Sequence, residues 1–365
     1  MLDYLADVTM IDADTLRRYD FIFGATYTGA VLDAVKIDDA SLDFNAAVGI
    51  PMSNGDNGIF GDAPCADKTS DAYKTWADAI ANVYAGNVTN EIYDVDQHMV
   101  AAVLDAAFPN NVKKAIADMV TFRKDCVYFR DIGVGNYTFG AIKNAVVNLP
   151  KIPFDKTAND CDKFVADYIT SYQIIDPETQ KTIEVTMLYD LASCLVDHLR
   201  YRANAPVAGI YNGFILKSAI KGTVNFTPIN TPKVNQKQAM EDLRVNYAIF
   251  EYNDCIVQTL YTCQHWYTQL SYLNNVLAIQ WVCRAVRSAC PKNRYSLANG
   301  VDLSNYAVAV ARVLDDFREN FDVLEFEYTT DSLKAQQKIF YASIKFAFLN
   351  WAQTEIFDLY AIANS

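Results

Sequence analysis

Asp94-Val95-Asp96-Gln97-His98 sets two carboxylates and an imidazole close together, the donor types that bind divalent metal ions. The spacing works against a metal site. On a strand Asp94 and Asp96 share a face, while His98 opens the next helix, so the stretch reads as a polar strand end followed by an N-cap. The other two histidines fare no better. Asp197 and His198 are adjacent on a helical stretch and point in different directions, which makes no acid–base dyad. His265 lies among Cys263, Trp266 and Tyr267, a setting for aromatic packing more than for an activated thiolate.

Two glycine-containing turns resemble ligand loops in part. Asp56-Asn57-Gly58 with Asp62 lacks the alternating oxygen ligands and closing glutamate of a calcium loop. Gly133-Val134-Gly135 follows a strand, as a dinucleotide fingerprint would, but Gly140 is too far on to be the third glycine. There is no Walker A loop, no GxSxG elbow and no zinc spacing. A nucleophile, base and orienting group cannot be assembled from what remains. The chain is read as a non-enzyme with no catalytic, cofactor-binding or metal-binding residues.

The composition fits a protein that associates. Of 365 residues, 52% are hydrophobic and only 21% charged, with 23 tyrosines and 20 phenylalanines. That is ample for a core, and aromatic enrichment also marks interfaces. The net charge of -13 argues against nucleic-acid binding. The charge is uneven: residues 1–100 carry 17 acidic and 5 basic side chains, residues 201–300 carry 10 basic and 4 acidic. Such halves suit attraction between neighbouring copies, which fixes register more than affinity. The eight cysteines show no CxxC spacing and read as buried free thiols, implying a reducing compartment. No signal peptide is visible, and no apolar run reaches the length of a membrane span, so no membrane insertion is expected.

The elements follow from periodicity and punctuation. Residues 1–18 read as an extended or partly helical lead-in, 21–24 and 31–37 as short strands, and Ser53-Asn54-Gly55-Asp56-Asn57-Gly58 as a turn. Helices are expected at 70–84, 99–107, 111–123, 164–173 and 190–201, with strands at 92–95, 126–130 and 183–188. Pro109 separates two of these helices, and Pro206 and Gly209 break the chain after the last. A polar loop covers 221–231, and short elements cover 239–245 and 255–261. The clearest helix is 271–290, with Leu273, Val276, Leu277, Trp281 and Ala285 in one stripe. Its carboxyl end is basic through Arg284, Arg287, Lys292 and Arg294, which makes these four candidate interface residues. A second amphipathic helix spans 304–320.

Three strands close the chain, at 323–328, 339–348 and 354–362. In the middle one Phe340, Ala342, Ile344, Phe346 and Phe348 alternate with more polar neighbours, the period of a strand. A terminal strand leaves backbone groups that must find partners, so Ile344, Phe346, Phe348, Ile356, Phe357 and Tyr360 are candidates for an inter-subunit strand arm. The fold class expected is α/β to α+β, a mixed sheet flanked by helices with a C-terminal β-hairpin or strand arm. The organisation expected is an α/β region over 1–205 and a C-terminal region over 206–365, or one continuous domain.

The order of these pieces resembles the contractile tail sheath family of bacteriophages and related contractile injection systems. Ser53 to Gly58 is similar to that family's Gly-Ser-Asp-Gly turn. Cys126-Val127-Tyr128-Phe129-Arg130-Asp131, after Arg123-Lys124, resembles its strand ending in Asp. Arg244-Val245-Asn246 resembles a Gly-Val-Asn step with Arg244 at the glycine, and Thr262 in Leu260-Tyr261-Thr262 matches a Gly-x-Arg-Thr turn. The helix from Ser271 to Arg287 matches through Asn275 and Arg284, and Thr354-Glu355-Ile356 opens a strand similar to the family's closing hairpin. The family's opening segment with Pro-Gly-Val-Tyr is not matched by Met1-Leu2-Asp3-Tyr4, which implies an arm outside this chain or supplied by another protein.

The resemblance implies a structural virion protein, assembled in the host cytoplasm and resident in the tail. Its subunits would stack as hexameric rings into a helical sheath around a tail tube protein, bounded by baseplate and tail-terminator proteins. Contraction would drive genome delivery, with terminal strands added to neighbouring sheets. The alternatives are another phage tail or baseplate component, or a soluble α/β enzyme or ligand-binding domain using the crevice beyond Asp131, with Asp94 and Asp96 nearby.

Overall fold

A computed structural model describes residues 69–85, 91–95, 98–133, 135, 137–151, 162–177, 180–201, 205–209, 213–264, 268–289, 300–329 and 341–348. The chain divides into the units Met1–Ala63 and Pro64–Ser365, and every described residue belongs to the second. The expected lead-in, the strands at 21–24 and 31–37, the turn at Ser53–Gly58 and the last strand at 354–362 lie outside the described residues.

The first helix, α1 (Asp71–Tyr84), starts where the sequence signals it: Ser70 accepts a hydrogen bond from the Tyr73 N–H at 3.1 Å. Strand β1 (Ala102–Leu104) leads to α2 (Asn110–Arg123), β2 (Val127–Asp131) and α3 (Phe139–Asn148). Helix α2 ends on Lys124, which holds φ 61° and returns its N–H to Val120. Next come β3 (Val165–Tyr168), the hairpin of β4 (Ser171–Ile175) and β5 (Thr182–Thr186), and α4 (Leu188–Tyr201). The small pair β6 (Asn230–Thr231) and β7 (Val234–Asn235) precedes α5 (Gln236–Asp242) and β8 (Val245–Asn246). A second hairpin follows, β9 (Ala248–Glu251) with β10 (Asp254–Val257). Two helices, α6 (Leu273–Ala289) and α7 (Gly300–Asp315), lead to β11 (Phe321–Thr329) and β12 (Tyr341–Phe348).

Strands β1, β2, β3 and β8 form a parallel sheet in that spatial order. Antiparallel pairing is segregated into separate two-stranded units, so the expected mixed sheet is a parallel sheet with hairpins around it. Strand β2 is buried along its whole length. A strand covered on both faces loses polar alternation and reads as a continuous apolar run.

That effect explains one correction. The expected helix at 164–173 is β3 and β4 instead, since its run of valine, tyrosine, isoleucine and threonine is strand-forming and β3 is buried on both sides. The expected helix at 99–107 holds β1, where pairing with β2 overrides the helical preference of alanine and leucine. The expected strand at 92–95 gives way to a 3-10 turn at Glu91–Tyr93. Helix α3 went unnoticed, although Thr138 caps it through the Ala141 N–H and Phe139, Ile142 and Val146 share one face.

The main core gathers Ile116 and Val120 of α2, Phe129 of β2, Leu191 of α4, Val257 of β10 and Leu277 of α6. A second core joins Ala278 and Val282 of α6 to Val310 and Leu314 of α7 and to Phe321 and Leu324 of β11. A third packs Ile142 of α3 against Met240 of α5 and Val245 of β8. Helix α6 therefore contributes its amino-terminal half to one core and its carboxyl-terminal half to another.

Candidate functional site

The parallel sheet carries charges inside it, and each is held by a partner the fold brings from elsewhere. Arg130 of β2 stands in register with Asp167 of β3. Its Nε and Nη2 donate to the two Asp167 oxygens at 2.6 and 2.9 Å, and Nη1 donates to the Pro150 carbonyl at 2.9 Å. Both side chains are almost fully buried, so the bidentate geometry is what makes their desolvation tolerable. At the carboxyl ends of β1 and β2, Lys113 of α2 pairs with Asp105 at 3.2 Å. Asp105 also accepts from the Tyr128 hydroxyl at 2.8 Å and the Phe108 N–H at 2.9 Å.

At the other end of β2, Asp125 is a hub. Arg123 donates to it twice, at 2.9 Å each, and also reaches the carbonyls of Ile92 and His98. Arg284 of α6 donates to the Asp125 carbonyl at 3.1 Å, and the Arg287 guanidinium lies 3.7 Å from its carboxylate. Two of the four candidate basic residues thus lie beside Asp125 of the same chain, and Lys292 and Arg294 lie outside the described residues. The hub also places Asp94. Its segment joins the amino-terminal side of the sheet through Arg123, whereas Asp131 closes the carboxyl end of β2, so the two do not share a crevice. Asp96 lies outside the described residues.

The residues singled out around β8 come together as backbone clamps. Asn246 donates to the Tyr261 carbonyl at 2.8 Å and accepts from the Tyr261 N–H at 2.7 Å. Thr262 donates to the Leu270 carbonyl at 2.9 Å, and Asn275 to the Gln269 carbonyl at 2.8 Å. Arg244 occupies φ 58°, the left-handed region where a glycine would be unstrained, and its guanidinium sits 5.3 Å from the Tyr261 ring centroid. These clamps fix the turn that leads into α6.

Strands β11 and β12 form an antiparallel pair with a bulge between Phe321 and Val323. Ile344, Phe346 and Phe348 pack against the second core, where the Phe346 and Phe348 rings lie 5.5 and 5.8 Å from that of Phe321. Their side chains are half-buried there. The opposite face carries Glu325, Glu327 and Lys345, the last two ion-paired at 2.5 Å. Among the described residues each strand pairs only with the other, leaving one backbone edge of each without a ladder partner there. Ile356, Phe357 and Tyr360 lie outside the described residues.

Burial pushes the Cys126 and Cys255 thiols up to about 12 and the Cys194 thiol up to about 11, so they are protonated and weakly nucleophilic. Five cysteines among the described residues are free thiols. His198 stacks edge-on against Phe214 at 5.5 Å in the interior. Among the described residues no three His, Cys, Asp or Glu side chains converge as metal ligands, and no helix is long and apolar enough to cross a membrane.

No protein-family model and no curated protein sequence matches the chain. Solved structures do. The chain is similar to one in the extracellular contractile injection system PVC sheath complex in its contracted state: TM-score 0.56, 13% identity, covering 78% of this chain and 79% of that one. A chain of the six-fold symmetrised baseplate of the anti-feeding prophage gives TM-score 0.54 at 9% identity, covering 78% and 80%. The helical sheath of the anti-feeding prophage in its contracted state gives TM-score 0.52 at 11% identity, covering 80% and 83%. The chain thus shares a fold with chains of contractile injection system assemblies. At these identities the likeness is one of fold, and it agrees with the family resemblance of the short motifs.

Proposed function

We propose that the chain is a structural subunit of a contractile, sheath-like assembly, with no catalytic role. The observation that carries this reading is the fold likeness, which extends over 78 to 80% of this chain in three contractile-system structures. The subunit polymerises with copies of itself as stacked hexameric rings around a tail tube protein, bounded by baseplate and tail-terminator proteins. It resides in the tail of a phage or phage-like particle assembled in the host cytoplasm, and contraction of the sheath drives delivery through the target envelope.

The outer edges of β11 and β12, with the following segment that holds Ile356, Phe357 and Tyr360, are the proposed strand-sharing arm. Unpaired N–H and C=O groups along a strand are satisfied by a strand from a neighbouring copy, and main-chain bonds survive while side-chain contacts around them change. Heterologous contacts of this kind build filaments. The basic patch is narrowed by the Asp125 hub. Arg287, with its side chain 45% exposed, is the better placed of the two helical arginines to meet an acidic surface of another copy.

Deletion of residues 354–365 tests the arm. The truncated chain is expected to keep the circular dichroism and cooperative melting of the folded monomer and to lose polymerisation. Polymers of normal length from the truncated chain would overturn the assignment.

A further inference from the structure

A cavity of about 400 Å³ lies between the carboxyl end of α3, the buried Arg130–Asp167 pair and the step from α5 into β8. That volume is in the range of small-molecule sites, which combine apolar walls with a few fixed polar groups. Here Val146, Val147, Leu149 and Leu243 supply the apolar wall, and Val147 is 79% exposed at the rim.

The polar groups lining the cavity carry a surplus of donors. A guanidinium has five N–H groups. Arg130 spends three of them, two on Asp167 and one on the Pro150 carbonyl. One N–H is left on each terminal nitrogen, and no acceptor among the described residues takes either. A pair of N–H groups on one guanidinium matches the two oxygens of a carboxylate. Asp167 has no such surplus, since it accepts from Arg130 twice and from the Cys263 thiol. It is also the one carboxylate lining the cavity among the described residues, so a cation finds little to hold it there.

Two further cations border the cavity. Lys151 is exposed, and Arg244 is half-buried with its guanidinium 5.3 Å from the Tyr261 ring centroid. Glu241 hydrogen-bonds the same tyrosine but does not line the cavity. Arg244 holds φ 58°, where a glycine would be unstrained, so the strained residue brings a cation to the site.

We propose that this cavity binds a small organic carboxylate with an apolar body. The carboxylate accepts the two remaining Arg130 N–H groups, Arg244 and Lys151 attract it, and the body lies against Val146, Val147, Leu149 and Leu243. A neutral analogue loses the charge-assisted bonds, and a bare anion loses the apolar contact.

The test is binding of benzoate to the full chain, followed by saturation-transfer NMR, with benzamide and inorganic phosphate as competitors. Benzoate is expected to bind saturably, and both competitors to be at least about tenfold weaker. Arg244→Gly is expected to raise the benzoate Kd about tenfold, the loss of one charge-assisted hydrogen bond. Lys151→Glu reverses an exposed charge and is expected to raise it as well, which keeps the test decisive should Arg244→Gly fail to fold. Lys74→Ala, an exposed change away from the cavity, should leave the Kd unmoved. Lack of saturable benzoate binding, equal competition by benzamide or by phosphate, or a Kd that the cavity variants leave unchanged or that Lys74→Ala raises as much overturns the proposal.

Discussion

At the residue scale, the informative side chains are charges placed where a sheet is otherwise apolar. Arg130 and Asp167 each interrupt a buried strand, and the parallel register sets them opposite one another. Removing one partner strands the other. Asp167→Ala is expected to cost about 3–5 kcal/mol by denaturant unfolding, and the double change to a matched apolar pair far less. Arg244 offers a different test. Its left-handed backbone predicts that Arg244→Gly stays within about 1 kcal/mol of the parent, relief of strain offsetting the lost contact with Tyr261. Arg244→Val should cost about 1–2 kcal/mol in the same assay. Thiol titration of the native chain should find Cys126 and Cys255 unreactive until unfolding, as burial and their raised values require. The sequence marked Asp131 as a strand end and Arg244 as a residue at a glycine position. Their surroundings depend on elements far along the chain, and no local pattern announces those.

At the element scale, α6 ties two cores together. Its stripe was legible because Leu273, Val276, Leu277, Trp281 and Ala285 recur at helical spacing, and the helix is present at Leu273–Ala289. Strands β11 and β12 were legible for the complementary reason: one face is buried and the other solvated, so alternation survives. Strand β3 was not legible because burial on both faces erases that alternation, and the three-residue β1 because only its pairing with β2 makes it a strand. Phe346 packs into the core beneath the hairpin, half-buried. Phe346→Ala is expected to destabilise by about 2–3 kcal/mol, read as a lowered thermal midpoint, and to loosen the hairpin first in hydrogen exchange. The exposed Lys345–Glu327 pair should behave oppositely, with Glu327→Gln leaving the midpoint essentially unmoved.

At the scale of the whole molecule, the fold likeness supports the proposed mechanical use. The fold class followed from alternating strands and helices, and the short motifs pointed to the same group of assemblies as the solved structures. The site was less legible, since an edge strand and a charge patch acquire meaning only when partners are known. Arg284 and Arg287 illustrate this: Asp125 of the same chain lies beside both, while the Arg287 side chain stays 45% exposed. Among the described residues β11 and β12 each keep one backbone edge without a ladder partner, the feature on which the proposed arm rests. The central claim is self-assembly, and electron microscopy of the purified full-length chain tests it most directly. Striated cylinders or stacked rings are the predicted result, and a uniform field of monomers at the concentrations where sheath polymers form would contradict it.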